Sequence, residues 1–431
     1  MKYIKKILDN GMTIILMPML HTQIIAMGFF VNAGSRNETK ENSGIAHFLE
    51  HMMFKGTKTR NSNTLFKQLD MLGTNYNAAT TTQNTYYYIY GNSDDTKKIL
   101  DIILDIYINP EFSTKEIKKE KKVIIEEMRM RMDMPLTKLY SEMHKNIFRD
   151  TSLLSRDIIG TADTVLNFKR EDFIEFRESM YIPKNTVFVI TGNFSAPPIY
   201  KMVVPILQSL TNSDIPSNTY SNEKNIILKN MLGQNQPYVY IKKNILYQQV
   251  YVLLGFPMYD LYKTKHREID LLTALLSSGF SSRLNKSLRE DNGITYSSVA
   301  YPIVYSDAGL YLIQMVLNPA ELVKGLKILM KELKNIKTDK ISNDEMVKII
   351  NVTKNESLYS LTNPLEMLIY FGLSALSNKR FKPNLKKDIA ELKKITDNQI
   401  QNVAKEIFIR DKINLYIYGN VLETDFNFMD L

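Results

Sequence analysis

The sequence predicts an α+β protein built from two homologous α/β units, each an antiparallel sheet with helices on one side, facing each other as a clamshell. Three observations predict it: the length, a weak internal repeat, and the alternation of strand-period with helix-period runs inside each copy. At 431 residues the chain exceeds what one core usually serves, so two units of about two hundred residues are expected. In the first copy IIAMGFFVNAG is a strand-like apolar run that ends in small residues. In the second, QQVYVLLGFPMYD takes that part, with Gly28 and Gly255 similarly placed.

The remaining elements follow in the same order in both copies. A helical stretch comes next, then a strand-rich stretch (NTYYYIYGN and AGLYLIQMVLN), then an amphipathic helix (SDDTKKILDIILDIYINP and PAELVKGLKILMKELKNI). A long helix opened by a capping box closes each series, with Ser113 and Glu116 three apart in the first copy and Ser342 and Glu345 in the second. An offset of 229 superposes these helices and carries Pro135 onto Pro364, each where a helix should break. The polar, aperiodic stretch 211–225 is the expected linker between a domain 1–210 and a domain 226–431. The opening MKYIKKILDNGMTIILMPML reads as two strands joined by an Asn10-Gly11 turn, both of whose residues can take positive φ. Asp9 and Asn10 interrupt the run a signal peptide would need, and no small-x-small cleavage site follows.

Composition narrows the function classes. Hydrophobic residues make up 44% and charged residues 23%, the balance of a soluble globular chain. The net charge of +9 is spread among interspersed acids and amides, with no basic block alternating with stacking aromatics, so nucleic-acid binding is not expected. No apolar run approaches the ~18 residues that a membrane helix needs, so no membrane association and a cytoplasmic location are expected. Cysteine is absent, which leaves His, Asp and Glu as the only ligands for a metal.

The informative segment is SGIAHFLEHMMFKGTKTR. His47, Glu50 and His51 stand at i, i+3 and i+4, so on a helix all three project from one face. Two imidazoles one turn apart reach a single zinc ion, and a carboxylate beside them can take a proton from water at such an ion. The order His-x-x-Glu-His is the inverted form of the commoner zinc-protease motif. A catalytic zinc also needs a third protein ligand, and the Glu-rich helix EIKKEKKVIIEEMRMRM offers one, with Glu120 and Glu127 two turns apart on one face. An isolated helical His pair is often an accident of packing; Glu50 between the pair and the Glu-rich helix downstream set this one apart. Of the five histidines, His21, His144 and His266 have no such companions.

HFLEHMMFKGT resembles the motif of the pitrilysin family of zinc peptidases, in the branch that holds the catalytic subunit of mitochondrial processing peptidase and its bacterial relatives. LDNGMTIILMP, AGSRNETKENSGIAHFLEHMMFKGT, GTNYNAATTT and EKKVIIEEM follow as landmarks of that family in family order. The resemblance implies His47 and His51 as metal ligands and Glu50 as the catalytic base. The family's spacing of 76 residues past the second histidine selects Glu127, rather than Glu126, as third ligand, and Glu120 as a supporting glutamate. LNKSLREDNGITYSSVA resembles the family's Arg-Tyr segment, which implies that Arg289 and Tyr296 donate to the substrate carbonyl. NAATTTQNTYYY resembles the strand that binds an extended peptide by main-chain pairing, here Asn77, Ala78, Ala79, Thr80 and Thr81. Gln83 stands where relatives commonly carry glutamate. The second copy lacks the metal motif, so one site per chain is implied, with Glu356, at the position of Glu127, a relic or a surface residue. The expectation is a zinc metalloendopeptidase acting on extended or presequence-like peptides, as a homodimer or with a related non-catalytic subunit. The alternative is a silent structural or partner subunit of a processing-peptidase-like complex.

Overall fold

The computed structural model describes residues 3–149, 152–213, 233–258, 261–378 and 381–421, so most of the expected 211–225 linker lies outside the described residues. The chain is α+β, with two sheets and many helices, and divides into two compact units.

The first unit contains six strands: β1 (Ile4–Ile7), β2 (Thr13–Pro18), β3 (Ile24–Val31), β4 (Asn75–Thr80), β5 (Thr85–Asn92) and β6 (Thr186–Gly192), in the order β1-β2-β6-β3-β5-β4. The opening pair is the hairpin expected, but of its turn residues only Gly11 takes positive φ, at 87°. Asn10 instead accepts the Met12 N–H at 3.2 Å and donates to the Leu207 carbonyl at 2.7 Å, tying the turn to the end of a helix. Five helices fall within the first 148 residues: α1 (Ile45–Met53), α2 (Ser62–Met71), α3 (Thr96–Ile108), α4 (Thr114–Asp133) and α5 (Pro135–Phe148).

The second unit carries β7 (Tyr238–Lys243), β8 (Val250–Pro257), β9 (Thr295–Val304), β10 (Gly309–Leu317) and β11 (Asn414–Gly419), in the order β7-β11-β8-β10-β9. This is the order β2-β6-β3-β5-β4 repeated, so the weak sequence repeat is a repeat of topology. Each sheet is antiparallel except at one place, where β2 pairs β6 and β7 pairs β11 in parallel. The parallel partner arrives last, after a long excursion of chain, and local periodicity carries no sign of it.

The compact units are not consecutive stretches of chain. One comprises Met1–Met130, Arg156–Thr219 and Tyr359–Lys382; the other comprises Arg131–Ser155, Tyr220–Leu358 and Pro383–Leu431. The divisions 1–210 and 226–431 therefore need amending by two exchanged segments. α5 packs on β8 and β11, and its counterpart Pro364–Ser377 packs on β3 and β6. Each helix begins with a proline at its first turn, where the missing N–H costs nothing.

Alternation explains why each sheet needs this second cover. In the first unit Ile14, Leu16, Met27, Phe29, Phe188 and Ile190 face the main core, which contains α1 and α3. The intervening Ile15, Met17, Phe30, Val187 and Val189 face the other way, against Met367, Leu368 and Phe371 of the exchanged helix. In the second unit Leu139, Met143 and Ile147 of α5 cover Leu253, Leu310 and Leu312 in the same manner. Close approach is allowed by glycine: a Cβ on Gly255 would lie 2.6 Å from Met143 Sδ, and one on Gly372 would lie 2.4 Å from the Phe30 ring.

Candidate active site

α1 delivers three polar side chains because its other positions are anchored. Ile45, Ala46, Phe48, Leu49, Met52 and Met53 are buried in the main core, which fixes the turn on which His47, Glu50 and His51 sit. The helix starts at Gly44, whose φ of 93° suits only glycine comfortably. Glu38 is buried there and accepts the Gly44 and Ala46 N–H groups at 2.8 and 2.9 Å. Burial pushes Glu38 up to about 8, against those two hydrogen bonds and the nearby Arg156.

α4 brings the carboxylates. Ile117, Glu120 and Ile124 are its buried residues, a single face at helical spacing, and Glu127 is the next residue on that face. Glu127 Oε1 lies 3.7 Å from His47 Nε2, and its Oε2 lies 3.7 Å from His51 Nε2. Ligand atoms of His47, His51 and Glu127 all fall within 4.8 Å of one another, and this is the one such group of three found among the described residues.

Glu120 holds the arrangement from behind. Its Oε1 is 2.9 Å from His51 Nδ1, and its Oε2 is 2.7 Å from Lys55 Nζ. The first contact makes Nδ1 the donor and leaves Nε2 of His51 turned toward Glu127. Burial opposes ionisation of Glu120, but His51 and Lys55 outweigh it and hold its carboxyl below the ordinary value. Burial likewise opposes a charged His51, yet the bond to Glu120 and the charges of Glu50, Glu120 and Glu127 raise its pKa. Three carboxylates thus converge on two imidazoles, a set that calls for a cation. Two imidazole nitrogens and one carboxylate fit zinc, whose tetrahedral ligands lie about 3.3 Å apart.

Glu50 stands on the same helix turn, within electrostatic reach of His51 and Glu127. Its Oε2 accepts the Thr80 hydroxyl at 2.5 Å. Burial raises its pKa, partly offset by that hydrogen bond and by His51. Thr80 therefore has a role that the strand reading alone did not reveal. Lys55 is a further participant, placed just beyond the end of α1, where helical spacing from His51 gives no signal of it. Glu38 could be sought as an acid upstream of the helix start, but only the fold shows which N–H groups it meets.

β4 is the edge of its sheet, and Asn77, Ala78, Ala79 and Thr80 belong to it. Thr81 lies just past the strand end, where its N–H donates to the Asn84 carbonyl at 2.8 Å and its carbonyl accepts the Ser35 N–H. Gln83 sits in the same β4–β5 turn, its N–H donating to Thr81 Oγ1 at 3.2 Å. Arg289 and Tyr296 belong to the second unit, where they come together: the guanidinium lies 5.0 Å over the Tyr296 ring and 5.3 Å over Phe280. Tyr296 is 81% exposed on β9. Glu356 is exposed on the helix Asn343–Ser360. His144 has a structural place, between the Tyr140 carbonyl at 2.9 Å and the Tyr305 hydroxyl at 2.7 Å.

Comparison with known proteins shows the family and the fold. Residues 15–162 match the model of insulinase, peptidase family M16, and residues 167–353 match that of the peptidase M16 inactive domain. A protein of Rickettsia felis named an uncharacterized zinc protease is 30% identical over 350 residues, 79% of each chain. The beta subunit of mitochondrial-processing peptidase from Lentinula edodes is 32% identical over 210 residues, 48% of this chain and 45% of that one. The crystal structure of a protease from Helicobacter pylori superposes with a TM-score of 0.85 at 23% identity, covering 97% of this chain and 99% of that one, which shows a common fold. The chain belongs to peptidase family M16. Among the described residues, no helix is long and apolar enough to cross a membrane.

Proposed function

We propose that this protein is a zinc metalloendopeptidase that cleaves extended or unfolded peptides, with one active site per chain in the first unit. The observation that carries the reading is the cluster of His47, His51 and Glu127 with Glu50 beside it on the same helix turn. Zinc held by those three residues would polarise the scissile carbonyl and make water acidic enough to yield its proton near neutral pH. Glu50 is the base that takes that proton and the acid that returns it to the departing amine. Thr80 fixes which Glu50 oxygen is free for this work. Glu120 orients His51 and supports the site without touching substrate.

Extended peptide would pair with the outer edge of β4, taking affinity from main-chain hydrogen bonds. Arg289 and Tyr296 are proposed as donors to the carbonyl oxygen as it gains charge. The match of the second half to a domain named inactive supports a single catalytic centre. We further propose that the chain works as a homodimer or with a related non-catalytic chain.

Cleavage of an internally quenched extended peptide tests the reading. Wild type should cleave, lose activity to a chelator and regain it with zinc, while Glu50→Gln should fall by about a thousandfold or more. Substantial turnover by Glu50→Gln would remove Glu50 from the proposed role.

A further inference from the structure

The face of the first sheet that turns away from the main core carries a row of tyrosines that the chemistry above leaves unused. Along β5 the buried Thr85, Tyr87, Ile89 and Gly91 alternate with half-buried Tyr86, Tyr88 and Tyr90. The ring centroids of Tyr86 and Tyr88 are 6.4 Å apart and those of Tyr88 and Tyr90 6.3 Å, the repeat of every second residue in a strand. Phe30 continues the row at 5.4 Å from Tyr86. The exchanged helix Pro364–Ser377 roofs β3 and β6 on this face, and the tyrosines pack along the border of that roof.

Among the described residues, only β4 stands between this row and the edge of the sheet. Its residues opposite Tyr86, Tyr88 and Tyr90 are Ala79, Asn77 and Asn75, so the tyrosines are screened from the edge by one methyl and two short amides. Among the described residues no strand pairs with the outer side of β4. Ala78 gives its N–H to its neighbour's Asn77 Oδ1 at 2.9 Å, and Thr81 gives its N–H inward to Asn84. By the alternation of antiparallel pairing, Asn77 and Ala79 bond to β5, while Tyr76, Ala78 and Thr80 direct their main-chain groups outward. Thr80 is also the residue whose hydroxyl reaches Glu50, so this edge runs into the proposed catalytic carboxylate.

A peptide paired with β4 must place every second side chain on the tyrosine face, over Ala79, Asn77 and Asn75 in turn. We propose that Tyr86, Tyr88 and Tyr90 form a specificity shelf that selects aromatic and long aliphatic side chains at alternate positions of the bound peptide. None of the six residues bears a formal charge, so selection here acts through apolar area and ring contacts rather than through sign. The small size of Ala79 makes the position beside Tyr86, closest to Glu50, the most permissive to a large ring. This inference rests on the peptidase reading and deepens it.

The test separates binding from chemistry. In the zinc-loaded Glu50→Gln protein, one Phe is walked through a soluble extended peptide of Ser, Thr and Ala, and affinity is measured at each position. Affinity should rise and fall with a two-residue period, peaks exceeding troughs by about fivefold or more. Tyr88→Ala and Tyr90→Ala should each flatten one peak, two residues apart, and Tyr88→Phe should restore its own. An affinity that ignores Phe position, or a periodic pattern that survives both alanine variants, would overturn the shelf. Wild type that cleaves without alternate-position preference would sink the shelf and leave the peptidase standing. Periodic binding with no cleavage by wild type would do the reverse.

Discussion

Glu120 touches no substrate in the proposed reaction, yet its two oxygens set the tautomer of His51 and anchor Lys55. Glu120→Gln should therefore weaken zinc affinity by about 10–100-fold while leaving the fold intact, measured by competition against a chromophoric chelator. Unchanged affinity would show that Glu120 is only a helix-packing group. Glu38 offers a test of a different kind. Its folded-state pKa of about 8 lies above the ordinary 4.5, so the folded protein holds a proton that the unfolded chain releases. The stability it contributes is complete below about 4.5 and is lost as pH climbs through about 8. The loss is steepest at about 1.4 kcal/mol per pH unit. In the metal-free protein, thermal melts from pH 5 to 8 should show that slope in wild type and a flatter one in Glu38→Gln; identical slopes would contradict the assignment. At this scale the His-x-x-Glu-His motif was plain, because His47, Glu50 and His51 are close in sequence. Thr80 as the partner of Glu50, and Glu38 beneath α1, were hidden because those contacts join segments that only the fold brings together.

The elements show the same division between what local pattern carries and what it omits. The capping box at Ser342 is realised, with Ser342 and Glu345 bonding reciprocally, whereas at Ser113 the Glu116 N–H reaches Ser113 Oγ at 3.3 Å and the Glu116 carboxylate pairs with Lys119. The offset that aligned Pro135 with Pro364 marked two true helix starts. Nothing in the period of Leu139, Met143 and Ile147 told which sheet they cover, since an apolar stripe specifies a face and not its partner. The contacts of the exchanged helix with β3 make that pairing testable. Gly372→Ala would ordinarily gain about 1 kcal/mol of helix propensity. Here the added methyl would meet the Phe30 ring at 2.4 Å, and that ring is held by stacking on Tyr86. Overpacking costs about 1–3 kcal/mol, so a lowered melting temperature is expected. A raised one would mean that the exchanged helix does not press on β3 as described.

For the whole molecule, the exchange of helices means that neither half of the sequence is a complete unit. Residues 1–210 expressed alone would leave Phe30, Val187 and Val189 without Leu368 and Phe371. Such a fragment should bind a hydrophobic dye and melt broadly, and coexpression with 226–431 should restore a sharp transition. A fragment 1–210 that melts cooperatively without dye binding would contradict the exchange. The topological repeat was legible because both copies keep their element order, whereas the late parallel strands β6 and β11 and the crossing helices depend on contacts far apart in sequence.

Zinc content of purified wild type, His51→Ala, Glu127→Ala and Glu50→Gln, read beside peptide cleavage by each, tests the central claim most directly. Wild type and Glu50→Gln should carry one zinc per chain, only the former should cleave, and the two ligand variants should lose both metal and activity. Zinc retained by Glu127→Ala, or lost from Glu50→Gln, would contradict the assignment of Glu127 as ligand and Glu50 as base.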